Sequence, residues 1–174
     1  QMCIRDRIVT VLDQTGNPIS PVRVQVFPGK LTPDSEVEPV SPPSPRTDGF
    51  IGFVTDSSGV VKVDLVNGDY SVVASPDLDS GNIRQSFLIV KSVSAPGQTT
   101  LFANRTVPVT VSAIGIDRHA GFLEPLIAAR VYFRAGKRAV GYIGNLNNDG
   151  QLLTSISSGN YHIITVSYTH LTLP

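Results

Sequence analysis

The chain has 174 residues with 14 basic and 14 acidic side chains, a formal net charge of zero, 15 Gly, 13 Pro, no Trp and one Cys. That balance lacks the basic patch a nucleic-acid or anionic-membrane binder uses to displace counterions, and no stretch is long and apolar enough to span a bilayer. Few charges, frequent Gly and Pro, and abundant Val, Ile, Thr and Ser point instead to an all-β chain with many turns, long enough for one or two domains of about 80 to 100 residues.

The first strand-like pattern begins only at Ile8, and the last repeated segment runs out at Thr165. Residues 1–7 and 166–174 are out of keeping with what they flank. Their strings QMCIRDR and SYTHLTLP resemble translated sequencing-adapter tails of genes assembled from environmental reads. Both are expected to lie outside the fold, which removes Cys3 and His170 from any site and implies a parent protein extending beyond both ends. Without a cysteine in 8–165 there is neither a disulfide framework nor a thiolate metal site.

Residues 8–12 form a short β-branched run, and the turn formers Asp13, Gly16, Asn17 and Pro18 reverse the chain into 22–26. Val22, Val24 and Val26 are expected inward, with Arg23 and Gln25 in water. Residues 31–48 carry five prolines, Pro33, Pro39, Pro42, Pro43 and Pro45. Proline cannot donate to a ladder, so a long exposed loop is expected there. Residues 50–55 and 60–65 pair through Asp56-Ser57-Ser58-Gly59, with Val61, Val63 and Leu65 inward. Asn67-Gly68-Asp69 turns into 70–74, with Tyr70 and Val72 inward. A polar loop over 75–82, a strand over 83–93 and a closing strand over 99–102 complete the first unit.

The pattern then restarts. GVVKVDLVNGDYSVVA (59–74) recurs as GQLLTSISSGNYHIIT (150–165), with Gly59/Gly150, Gly68/Gly159 and Tyr70/Tyr161 each 91 positions apart. Upstream, Arg23-Val24 and Gly29-Lys30 match Arg130-Val131 and Gly136-Lys137 at an offset of 107, and the difference of 16 isolates the proline-rich loop as an insertion. The expected organisation is a first sandwich over 8–104 and a second over 105–165 that lacks the counterpart of 75–102. An unpaired edge and exposed apolar surface follow for the second unit, making 8–104 alone the more soluble piece. Gly59, Gly68, Tyr70, Gly150, Gly159 and Tyr161 are structural positions, the tyrosines burying their rings while the hydroxyls find a partner.

Val9, Val11, Asp13, Gly16, Pro18, Ile19, Val24, Val26, Thr55, Asp56, Gly59, Val63, Leu65, Gly68, Tyr70 and Val72 spell a pattern that resembles the carboxypeptidase regulatory-like domain. Its relatives are the transthyretin-like and pilin-type (SpaA-like) sandwiches. Gly121, Pro125, Leu126, Val131, Phe133, Gly150, Ile156, Gly159 and Tyr161 repeat it. The resemblance implies two tandem Ig-like or prealbumin-like antiparallel β-sandwiches. It also implies a non-catalytic spacer or adhesive module of a larger secreted or cell-surface bacterial protein, with neighbouring domains, a surface glycan or a protein ligand as partners. The matched positions are all turns or core, so they speak for fold and not for function.

Chemistry is sparse. His119 and His162 are the histidines left within 8–165, and His162 stands where the first copy has Ser71, a serine expected to be exposed and to serve equally well there, so no nucleophile-and-base pair is expected. Asn145, Asn147 and Asp149 resemble the start of a calcium loop whose twelfth position is Ile156 in place of the bidentate Glu. Asp77 and Asp79 form a second weak cation candidate. No cofactor is expected. A Lys-to-Asn isopeptide bond lacks a lysine in 8–12 and has only Asn104 at the closing strand. A carbohydrate-binding accessory module of a secreted hydrolase is the alternative, and it requires Tyr132 and Tyr142 to be exposed and coplanar.

Overall fold

A computed structural model describes residues 5–42, 50–77, 87–103, 106–116, 121 and 123–167, with side chains from residue 7 onward. Asp79, Asn104, His119, Cys3, His170 and the loop portion 43–49 lie outside the described residues. All regular structure described is β-strand: β1 (Arg5–Leu12), β2 (Val22–Pro28), β3 (Phe53–Val54), β4 (Val60–Leu65), β5 (Gly68–Pro76), β6 (Phe87–Ala95) and β7 (Gly97–Phe102). The second set is β8 (Val107–Ser112), β9 (Ile114–Ile116), β10 (Leu123–Pro125), β11 (Arg130–Gly136), β12 (Ala139–Asn145), β13 (Gln151–Ile156) and β14 (His162–Val166). β1 thus starts three residues before Ile8, and Arg7 is buried against Ser94 and Thr99.

Three strand pairings recur in the second half at the offsets of the sequence repeat. Thr10 opposes Val60 in β1–β4 as Ser112 opposes Gln151 in β8–β13. Arg23 opposes Val54 and Ser75 in β2–β3 and β2–β5, as Arg130 opposes Asn145 and Val166 in β11–β12 and β11–β14. Turn circuits match as well. The amide of Val11 donates to the Gly59 carbonyl at 2.9 Å and that of Ile19 to Val11 at 3.0 Å; Ala113 to Gly150 and Leu126 to Ala113, both at 3.0 Å, repeat the arrangement. Gly59 and Gly150 both hold φ of 70°, and a Cβ on either would stand 2.8 Å from the Val11 or Ala113 carbonyl oxygen. Only glycine meets both demands at low cost.

The units share material. Sheet β4-β1-β7 closes one side of the first unit, and β3-β2-β5-β6 closes the other, continuing into β13-β8 to make six strands. The link is a parallel contact in which Ser155 and Ile156 oppose Phe87 and Leu88. Sheet β12-β11-β14 then covers the far face of the six-stranded sheet. One buried cluster gathers Val9, Val11, Val24, Val26, Val63, Tyr70, Val72, Phe87, Ile89 and Leu101. A second gathers Phe27, Val73 and Leu88 from the first unit with Val111, Val131, Phe133, Ile143 and Leu146 from the second.

That second cluster explains why β5 is buried continuously from Tyr70 to Pro76. A strand covered on both faces loses the alternation of a half-solvated one, whereas β4 keeps it, with Val61, Val63 and Leu65 buried and Lys62 and Asp64 exposed. Each large aliphatic side chain sealed in this way contributes about 1.5–3 kcal/mol.

Several expectations are corrected by the same packing. Gln25 is buried, its Nε2 donating to the carbonyls of Ile51 at 3.0 Å and Arg138 at 3.4 Å. Arg23 is half-buried and paired with Asp77 at 3.0 Å. Ser71, the counterpart of His162, is buried and not exposed; its Oγ donates to the Gly29 carbonyl at 2.8 Å and accepts from the Leu31 amide at 3.0 Å. The proline-rich segment, expected as a free surface loop, clasps the second unit over its described part. Leu31 packs on the second cluster, the Lys137 amide donates to the Ser35 carbonyl at 2.8 Å, and Glu36 and Glu38 pair with Lys137 and Arg138.

Candidate functional site

The most elaborated polar features are the two Gly-x-Tyr corners and a cleft beside the second. In the first corner the Tyr70 hydroxyl donates to the Val66 carbonyl at 3.0 Å. In the second, Tyr161 donates to Ser157 at 3.0 Å, again four residues upstream. Tyr70 is 6% exposed, whereas Tyr161 is half-buried, packing edge-on against Phe133 at 6.1 Å between centroids. Its burial pushes the Tyr161 phenol above its ordinary pKa, with the Ser157 hydroxyl, 2.9 Å away, pulling the other way. Gly159 leaves room for that ring, since a Cβ there would lie 2.8 Å from the Tyr161 hydroxyl.

A cleft of about 390 Å³ opens beside the second corner, lined by Lys30, Leu31, Ser71, Ser92, Gly159 and Tyr161 among others. Two of its hydroxyls serve the scaffold: Ser71 ties the start of the proline-rich segment, and Tyr161 bonds Ser157, whose Oγ accepts from the Val90 amide at 2.8 Å. It is a seam between the units.

Three of the cation candidates, Asn147, Asn145 and Asp77, are engaged within the scaffold. Asn147 Oδ1 accepts from the amides of Asp149 and Gln151, both at 2.9 Å, just as Asp56 Oδ1 accepts from Ser58 and Val60 at 2.9 and 3.0 Å. Both are side-chain-capped turns that carry the chain from one sheet to another, β3 to β4 and β12 to β13, so the expected pairing of 50–55 with 60–65 gives way to pairing of each strand within its own sheet. Asn145 Oδ1 accepts from the Tyr142 hydroxyl at 2.8 Å, and Asp77 faces Arg23. Among the described residues, no three His, Cys, Asp or Glu side chains converge to hold a metal ion. Asp13 is the most elaborated carboxylate, accepting from the Thr15 hydroxyl and amide and the Asn17 amide at 2.7–2.9 Å. The Thr15 hydroxyl first, then the Asn17 amide, hold its pKa below the ordinary value. That stabilises a turn.

His162 is exposed on β14. Tyr132 and Tyr142 are half-buried with centroids 5.4 Å apart and rings tilted by 42°, so they do not present the coplanar platform that a sugar ring stacks upon. Sequence reasoning missed the two-sided burial of β2, β5 and β6. Its signal was present in Phe27, Val73 and Leu88, apolar residues at positions that alternation assigns to solvent.

No family model matches the chain, including any for the modules it resembles in sequence, and no curated protein matches it. Among solved structures it is similar to one titled "Structure of the Streptococcal ancillary pilin", with a TM-score of 0.32 and 14% identity over 97% of this chain. The chain spans 60% of the length of that pilin. At that score the likeness carries no argument about function.

Proposed function

We propose that this chain is a non-catalytic structural module of a larger secreted or cell-surface bacterial protein, holding neighbouring domains apart and in fixed orientation. The observation that carries the reading is the shared second core, in which Phe27, Val73 and Leu88 of one unit pack with Val131, Phe133 and Ile143 of the other. Two units joined by a polar linker swing; two units sharing a sheet and a core move together. The polar side chains that chemistry would recruit, Asp13, Asp56, Asn147, Ser71 and Tyr161, are bonded to turns and corners of the scaffold. Adhesion through the exposed surface is the partner function compatible with this role. Urea unfolding followed by far-ultraviolet circular dichroism and by tyrosine fluorescence tests it: coincident single transitions are expected, and two transitions separated in denaturant would overturn the rigid-spacer reading.

A further inference from the structure

Net neutrality over the whole chain conceals one uneven surface, the outward face of sheet β12-β11-β14. Strand period two sends Val131, Phe133 and Ile143 into the second core and turns Arg130, Tyr132 and Arg134 of β11 outward. Tyr142 of β12 stands opposite Tyr132, while His162 and Ile164 of β14 stand opposite Arg134 and Tyr132. None of the three strands carries an Asp or Glu. The Arg134 side chain has no ion-pair or hydrogen-bond partner among the described residues, and its Nε is buried without one. Arg130 lies over the Tyr142 ring, 5.9 Å from its centroid.

Residue identities set this face apart from its counterpart in the first unit. At the offsets of 107 and 91, Arg134 and His162 take the places of Phe27 and Ser71, which are sealed at 0% and 1% exposure. An apolar cover laid on Arg134 would strip water from a guanidinium that has no counter-charge, which is costly. An anion removes that cost. Arg134 and His162 are cross-strand neighbours, about 5 Å apart at Cβ, so a carboxylate set between them meets donors from both. Arg130 lies four residues from Arg134 on one strand, about 13 Å at ~3.3 Å per residue, which is the distance between side chains i and i+4 of an extended peptide. The chain makes contacts of this kind at the end of the same sheet, where Glu36 and Glu38 of the proline-rich segment pair with Lys137 and Arg138. The two tyrosine rings, half-buried and tilted by 42°, give apolar relief between the charges and no platform on which a base or a sugar stacks.

We infer that this face is a docking site for an acidic peptide segment of a partner protein. The segment lies extended along β11, with one carboxylate between Arg134 and His162, a second four residues away at Arg130, and an apolar side chain midway over Tyr132 and Ile164. Charge complementarity selects the partner and the central apolar contact fixes its register. This rests on the structural-module reading above and names the surface and the partner class through which such a module adheres.

The test uses the full chain and a fluorescein-labelled peptide of sequence Gly-Thr-Glu-Thr-Leu-Thr-Glu-Thr-Gly, followed by fluorescence anisotropy. Saturable binding that weakens with added salt is expected. Arg134→Glu should weaken it at least tenfold, and so should His162→Glu, whose exposed position keeps the test readable if the first variant unfolds. Lys62→Glu, the same charge change as Arg134→Glu on an exposed position of β4, leaves binding unchanged. The inference is overturned by no saturation up to about 1 mM peptide, the weak end of specific recognition, by equal binding of the peptide with both Glu replaced by Gln, or by binding that folded Arg134→Glu and His162→Glu variants retain in full. A thymidine oligonucleotide that binds more tightly than the peptide, and is lost with Arg134→Glu, overturns it too by making single-stranded nucleic acid the occupant. Coincident unfolding transitions are independent of all these outcomes, so failure here leaves the spacer reading standing, and the reverse also holds.

Discussion

Position for position the two units share turns, registers and corners, yet they differ in what covers them. The first unit has its sheet β3-β2-β5-β6 buried on both faces; the second has β14 half-open, with Ile163 exposed where Val72 is sealed. Local sequence is therefore sufficient to build the same capped turns twice, while strand pairing and burial are decided by neighbours. What the second unit lacks in strands of its own it partly recovers by lying on the first, through Phe27, Val73 and Leu88.

Cutting the units apart breaks this comparison most severely. Residues 8–104 alone would expose Phe27, Val73 and Leu88, reversing the expectation that this fragment is the better-behaved piece. It should aggregate or lose cooperative unfolding relative to the full chain, as read by size-exclusion chromatography and urea melts. A fragment as stable and monomeric as the full chain would show the shared core to be dispensable.

The tyrosine corners give the next largest contrast. Tyr70→Ala should cost about 3–5 kcal/mol, as aromatic truncations in cores do. The half-buried Tyr161 loses less apolar contact, and Tyr161→Ala should cost about 2 kcal/mol less than Tyr70→Ala. Equal costs in chemical denaturation would mean that Tyr161 is as enclosed as its counterpart.

The paired glycines sharpen the likeness. Gly59→Ala and Gly150→Ala meet the same φ and the same 2.8 Å carbonyl contact, so both should destabilise by about 1–3 kcal/mol and by similar amounts. A neutral result at one would place that turn outside the cooperative unit.

The smallest effect is at a single hydroxyl. Tyr161→Phe removes the bond to the Ser157 carbonyl and should cost about 1 kcal/mol at neutral pH. Because burial raises the folded-state pKa of Tyr161, its contribution is complete below the unfolded value of about 10 and fades as pH rises through the folded value. The difference between Tyr161→Phe and the unsubstituted chain should accordingly shrink in strongly alkaline buffer. A constant difference would dissociate the shift from stability.

Much of this architecture was readable from residues alone. Strand alternation in Val60–Leu65, the glycine demanded by each Asx-capped turn and the equal spacing of the Gly-x-Tyr corners are local consequences of backbone geometry, and they recur wherever the pattern recurs. The candidate sites were legible only in part. Asn147 and Asp56 declare themselves as turn formers, but nothing near Asp77 in sequence announces that Arg23, 54 positions away, will neutralise it.

Sequence by itself determined the all-β class and where the Gly and Asx turn formers fall, because those depend on φ, on side-chain period and on contacts within a few residues. Only tertiary structure decided that Gln25, Ser71 and Val73 are buried, that the proline-rich segment clasps the second unit, and that Ile163 is left uncovered. Those outcomes depend on which sheet face meets which, and a face's cover comes from strands far away in the chain.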